Sequence, residues 1–353
     1  VAEATVSGKR FRAFEKACNS NVMEGTFIIY QVLAPKSSNF QQAQVLFCTF
    51  AVSIHLNKKM KQRVISAIIF VIAMLGGVFG GAKAFYVLFS IIVAGSLWEL
   101  SGLLFSVEKN HLRFRMVTAT VLGSLPFLIF GSKVFHLFLP LPGNSQFKPY
   151  VFVADLADNV SPILISITLI LFLVFVLLVV ELFLQSEQPF SNIGNYLLGV
   201  VYLGVPFSLL ISISYWHGNY APLRVFGLLF LTWTNDTMAY LIGSKIGKTP
   251  FFARISPKKT WEGTLGGIVC TFIVAYFFSI WIKDFELSEW MLQAAIVSIF
   301  GTLGDLVESM LKRSIHVKDS GSILPGHGGF LDRFDSFIFA LPFVWLALMI
   351  FEG

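Results

Sequence analysis

The stretch MKQRVISAIIFVIAML, residues Met60 to Leu75, opens with Lys61 and Arg63 and then runs apolar through to Gly80. A basic cluster leading straight into an unbroken apolar segment is the pattern of a first membrane helix whose basic end stays on the cytoplasmic side. Eight further runs of this kind follow. The nine candidate spans are Val64–Gly80, Ala84–Phe105, Val117–Leu141, Ser161–Leu184, Ile193–Ser214, Pro222–Gly243, Gly263–Ile282, Met291–Leu306 and Ser336–Phe351. No repeat of fixed period and no soluble domain interrupts them, and the longest connections are residues 142–160, 244–262 and 307–335. The expected fold is all-α: a polytopic integral membrane protein of about nine transmembrane helices.

Composition agrees. In 353 residues, 56% are hydrophobic and 38 are Phe, and the mean hydropathy is +0.75. A soluble core of this length could not bury that much apolar surface. The formal charge of +6 comes from bases scattered among apolar runs, which argues against a nucleic-acid partner. Three cysteines, Cys18, Cys48 and Cys270, form neither a disulfide framework nor a metal spacing.

The bases also orient the spans. With the segment before Val64 cytoplasmic, that side holds 16 Lys and Arg: Lys58, Lys59, Lys61, Arg63, Lys109, Arg113, Arg115, Lys245, Lys248, Arg254, Lys258, Lys259, Lys312, Arg313, Lys318 and Arg333. The opposite side holds 4, namely Lys83, Lys148, Arg224 and Lys283. This excess decides the orientation by the positive-inside rule. Upstream of Met60 the chain changes character. Phe40 to Leu56 is apolar but interrupted by Gln41, Gln42, Gln44 and His55, at the lower limit of spanning length. Residues 1–59 read as an N-terminal extension, and residues 60–353 as the membrane-embedded domain.

Within that domain, Asp305 to Asp335 reads DLVESMLKRSIHVKDSGSILPGHGGFLDRFD. Asp305, Glu308, Ser309, Lys312 and Arg313 fall at i, i+3, i+4, i+7 and i+8, so a helix would align two acids, a hydroxyl and two bases along one stripe. Leu324-Pro325-Gly326-His327-Gly328-Gly329 then forms a turn whose bare positions would let backbone N–H groups approach an anion. Asp332, Arg333 and Asp335 follow, the two acids again at i, i+3. A mixed charge run between spans is ordinarily a solvated loop. Here acids suited to a metal ion and bases suited to phosphate are packed into one short region. His327, between glycines, could contact phosphate or move a proton.

Two further elements share the cytoplasmic side. Asp236, beside Asn235, sits near the end of the sixth span, where an acid is costly enough to be a functional candidate. Ile255 to Gly263, ISPKKTWEG, carries Ser256, Pro257, Lys258 and Lys259 ahead of Glu262, an acid placed in the first turn of the coming helix. Read alone, it could equally be a basic segment touching anionic lipid heads.

Together these residues resemble the signature of the integral-membrane phosphatidate cytidylyltransferases: Ser309, Lys312-Arg313, Lys318-Asp319, Gly321, Leu324-Pro325, His327-Gly328-Gly329, Asp332-Arg333 and Asp335, preceded by Ser256, Pro257, Lys259, Thr260, Glu262 and Gly263. The likeness spans Met60 to the C-terminus, with the signature at 309–335. It implies transfer of CMP from CTP to phosphatidic acid, giving CDP-diacylglycerol and pyrophosphate, in a polar cavity on the cytoplasmic side. It also implies a homodimer in a membrane, for preference a bacterial inner membrane. By the same resemblance Asp305 and Asp332 hold Mg2+, beside which a second, monovalent or divalent, cation could sit. Lys312, Arg313, Lys318 and Arg333 bind phosphates, Ser256 and Lys259 close the site, and Asp319 and Asp335 orient the bases. His327 joins this catalytic group, while Asp236, Glu262, Glu308, Ser309, Gly328 and Gly329 contact substrate. A secondary transporter would predict broken helices and repeat symmetry, and a CTP-dependent lipid kinase would not need the complete signature.

Overall fold

The computed structural model describes residues 65–106, 110–135, 162–216, 218–282, 284–321 and 328–352. The N-terminal extension with its possible span at 40–56, and His327, lie outside them. Nine helices occupy the described residues: α1 Ile65–Phe79, α2 Ala82–Leu104, α3 Leu112–Phe135, α4 Pro162–Phe183, α5 Pro189–Ile213, α6 Pro222–Ile246, α7 Trp261–Trp281, α8 Leu287–Ser314 and α9 Leu331–Glu352. Six of them, α2, α3, α5, α7, α8 and α9, are long and apolar enough to cross a membrane. α1 is short, and Arg224, Asn235, Asp236 and Lys245 dilute the apolar character of α6.

The all-α expectation holds apart from two short antiparallel hairpins. β1 (Tyr215–Trp216) and β2 (Asn219–Tyr220) join α5 to α6. β3 (Pro250–Phe252) and β4 (Ser256–Thr260) join α6 to α7. The helix starts follow local chemistry. Thr260 caps α7 by accepting the Gly263 N–H at 3.2 Å, and Glu286 and Glu289 form a capping box at the start of α8. α5 and α8 each contain a π turn, at Val200–Gly204 and Val297–Gly301. In α5 the turn precedes Pro206, which has no N–H to continue the α-helical ladder.

Many large apolar side chains point outward, among them Ile69, Ile72, Ile91, Phe172, Phe175 and Val269. On a soluble protein this would be an aggregation surface; on a membrane protein it is the face that meets lipid. The interior is aromatic and tight. Phe334, fully buried next to Asp335, meets the rings of Phe70, Phe89 and Phe207 at 6.0–6.4 Å, which ties α9 to α1, α2 and α5. Gly304 lets α8 approach α9, since a Cβ there would come within 2.5 Å of Phe339 Cβ and 2.8 Å of the Asp335 carbonyl.

A second polar knot holds α3, α4 and α5 together. Glu181, near the end of α4, accepts from Arg115 Nη2 at 3.1 Å, Asn192 Nδ2 at 3.0 Å and Tyr196 OH at 3.2 Å, and also from Ser186. Arg115 and Glu181 are both fully buried. With its carboxylate oxygens this well served, the pair is tolerable away from water.

Candidate active site

The polar stripe on α8 is helical, as its spacing predicts. Gly304 seats α8 against α9, so the start of α9 faces the stripe. Lys312 Nζ lies 2.8 Å from Glu308 Oε2, one helical turn earlier, and 2.7 Å from Asp332 Oδ1 in the first turn of α9. Asp332 also accepts the Ser320 N–H at 3.0 Å and the Gly329 N–H at 2.8 Å, so both its oxygens are engaged. Glu308 is fully buried beside the buried Asp335, and its Oε1 has no hydrogen-bond partner. Asp335 accepts its neighbour's N–H, from Ser336, at 2.7 Å.

A second acid–base pair joins this one from β4. Lys259 Nζ lies 2.7 Å from Asp305 Oδ2, while Ser309 Oγ donates to Asp305 Oδ1 at 3.2 Å. Ser336 Oγ donates to Asp236 Oδ1 at 3.4 Å, which brings α6 to the same place. Asn235 stays buried beside it and donates to Thr302 Oγ1 at 3.3 Å. Asp236, Asp305, Glu308 and Asp335, with Lys259 and Lys312, thus form one cluster where the second halves of α6 and α8 meet the start of α9.

Other residues singled out in the sequence sit differently. Arg313, Lys318, Asp319 and Arg333 are exposed around the cluster, and Arg313 Nη1 donates to the Val317 carbonyl at 2.9 Å. Ser256 lies half-buried in β4, paired in register with Phe252. Glu262 is in the first turn of α7, and its carboxylate accepts the backbone N–H groups of Lys248 and Thr249, both at 3.1 Å, closing the base of the β3–β4 hairpin. Gly328 has a left-handed φ of +85°. Gly329 donates its N–H to Asp332 Oδ2.

One acid of this region was absent from the sequence reading. Glu99, on α2, is 5% exposed and accepts from Ser320 Oγ at 3.2 Å and from the Leu331 N–H at 3.0 Å. The signal was available: Glu99 is the one acid in the apolar run of α2, and a lone carboxylate at such a place needs a partner. Among the described residues no three His, Cys, Asp or Glu side chains converge as a metal cage.

The fold and this cluster define a membrane-embedded protein with acids and bases gathered where α6, α8 and α9 meet. Residues 61–351 match the profile of the cytidylyltransferase family, and the chain belongs to that family. It is 36% identical over 294 residues to the phosphatidate cytidylyltransferase of Bacillus subtilis (strain 168), covering 83% of this chain and 99% of the relative. The phosphatidate cytidylyltransferase of Staphylococcus aureus (strain COL) is 34% identical over 292 residues, 82% and 99% of the two chains. That of Staphylococcus haemolyticus (strain JCSC1435) is 42% identical over 177 residues, half of this chain and 66% of the relative.

Proposed function

We propose that this protein transfers CMP from CTP to phosphatidic acid, forming CDP-diacylglycerol and pyrophosphate. The observation that carries the reading is the meeting of Lys259–Asp305 from β4 and α8 with Lys312–Asp332 from α8 and α9, in a chain of this family. Two lysines and the exposed Arg313, Lys318 and Arg333 offer positive charge to a triphosphate and a phosphomonoester at once. The acyl chains can stay in the bilayer while the head group reaches this end of the helices.

The step needs little proton chemistry. An oxygen of the phosphatidate phosphate forms a bond to the α-phosphorus of CTP as the bond from that phosphorus to the β-bridging oxygen breaks, and pyrophosphate departs with the electron pair. The nucleophile is already anionic near neutral pH, so no strong base is required. Lys259 and Lys312 would balance charge that builds on the phosphates, and the acids beside them hold their ammonium groups in place. His327 remains a candidate for a phosphate contact.

Magnesium fits this donor set. Asp305 is partly exposed, and Glu308 Oε1 is a buried acceptor with nothing to bind; one or two carboxylates plus substrate oxygens suffice for this ion. Asp305 and Asp332 would hold it, and when bound it supplies Lewis-acid neutralisation of the phosphates. Because the oxygens of Asp332 already meet Lys312 and two amides, its part requires one of these contacts to yield. A polar cavity is supported by Asp236, which is accessible although enclosed among the helices. The 16-to-4 distribution of bases supports a site facing the cytoplasm, and bacterial relatives support an inner membrane. A homodimer belongs to the same reading through the family resemblance.

The test is an assay of the purified chain with CTP, phosphatidate and Mg2+. A CDP-lipid and pyrophosphate are expected. Release of CDP would identify a lipid kinase instead, and no turnover at all would favour a transporter.

A further inference from the structure

Glu99 touches both flanks of the connection between α8 and α9. Its Oε2 accepts from Ser320 Oγ, just after α8, and from the Leu331 N–H that begins α9. The two glycines beside those donors make room for it. A Cβ on Gly321 would lie 2.3 Å from Glu99 Oε1, and one on Gly329 would lie 2.1 Å from Oε2. One turn earlier on α2, Gly95 receives Phe330, whose ring would be 2.5 Å from a Cβ at that position. Neither Gly321 nor Gly329 has a positive φ, so what their lack of a side chain supplies is space for this carboxylate.

The same backbone presents its amides to the proposed transfer site. Ser320 gives its hydroxyl to Glu99 and its N–H to Asp332; Gly329 packs on Glu99 and gives its N–H to Asp332. Asp332 in turn holds Lys312 at 2.7 Å. Displacing the segment from α2 would therefore move two of the donors that fix Asp332. We propose that Glu99 is a positioning residue for the transfer reaction, acting by anchoring Ser320 and Leu331 so that Asp332 and Lys312 are held in register. The catalytic part of this statement rests on the function proposed above; the anchoring part does not.

The test compares Glu99→Gln with Glu99→Met in the full chain, reconstituted in lipid nanodiscs. Gln keeps an oxygen that can accept from both donors without the charge, while Met keeps the volume and removes the acceptors. Two quantities are read: turnover of CTP with phosphatidate, and amide hydrogen exchange peptide by peptide. Glu99→Met should lower kcat by at least about thirtyfold, on the scale of a catalytic group misplaced by about an ångström, and should speed exchange in peptides covering 320–321 and 328–334 but not in α6 or α7. Glu99→Gln should keep both near the wild-type values. Unchanged exchange in those peptides, or a rise spread evenly over all helices with Gln no better than Met, overturns the proposal. Should the Met variant fail to fold, Ser320→Ala, which removes the same contact from the other side, must speed exchange across 328–334 for the anchoring to stand. A wild-type chain that made no CDP-lipid would defeat the proposed function, and the exchange measurement would still decide the anchoring.

Discussion

Lys259 Nζ sits 2.7 Å from Asp305 Oδ2 with both side chains partly exposed, 25% and 32%. Lys312 is enclosed between Glu308 and Asp332, the three side chains showing only 11%, 0% and 9%. The two lysines should accordingly differ in what they do for stability. An exposed pair contributes about 0–1 kcal/mol, whereas opening a buried one leaves uncompensated charge and costs about 3–5 kcal/mol. Lys312→Met should lower the thermal midpoint in detergent markedly, Lys259→Met hardly at all, and both should slow turnover. Equal midpoints would mean that the enclosure of Lys312 has no energetic consequence.

The acids opposite these lysines give a second expectation. Asp305→Asn and Asp332→Asn keep shape and remove charge, and each should reduce CDP-lipid formation by at least about a hundredfold. Lys83→Ala, at the start of α2 and distant from the cluster, should be near neutral. An Asp305 variant with near-normal turnover and an unchanged Mg2+ requirement would remove that residue from the metal proposal.

Glu181→Ala should destabilise without touching the chemistry. It removes the carboxylate that balances the buried Arg115 guanidinium and accepts from Asn192 and Tyr196, a loss of about 3–5 kcal/mol. Replacing the pair together, Arg115→Met with Glu181→Leu, should recover part of that. Unfolding titrations measure both, and turnover per folded molecule should stay within about twofold of wild type, as expected of sites with no shared partners.

Sidedness can be read by labelling. Lys248 and Asp319 are exposed near the hairpin and after α8. Cysteines placed there, with Cys18, Cys48 and Cys270 removed, should react with an impermeant reagent from the same side of sealed vesicles. Labelling from opposite sides would overturn the span assignment.

For the N-terminal extension, a chain starting at Met60 should insert and retain activity. Loss of most CDP-lipid synthesis at equal expression would make residues 1–59 part of the working protein.

Hydropathy alone located the helices, because each apolar run must close its own backbone hydrogen bonds in lipid. The stripe from Asp305 to Arg313 was legible from spacing, and its continuation of α8 as one helix follows from that periodicity. Partners were not legible. Nothing in the spacing says that Lys312 would face Asp332 or that Lys259 would reach Asp305, since both contacts depend on how α7, α8 and α9 cross. Gly329 shows the same limit: an empty Cβ position announces a close approach but not what approaches, and in this structure Glu99 packs beside it. The lone acids Glu99 and Glu181 were the untaken clue, each too costly in an apolar helix to lack a partner.

The π turn at Val297–Gly301 has a geometric consequence for α8. A π turn accommodates one residue more than an α turn, so everything beyond it is rotated by roughly 100° about the helix axis relative to an uninterrupted α-helix. Trp290, Gln293 and Ala294 are buried before the turn, and Thr302, Gly304, Glu308 and Lys312 after it. The turn is thus a phase correction that lets one helix satisfy bilayer packing with its first half and aim Glu308 and Lys312 with its second. Straightening that turn into regular α-helix without removing a residue would leave length and hydropathy almost unchanged, yet it would swing the charged half by more than a quarter circle.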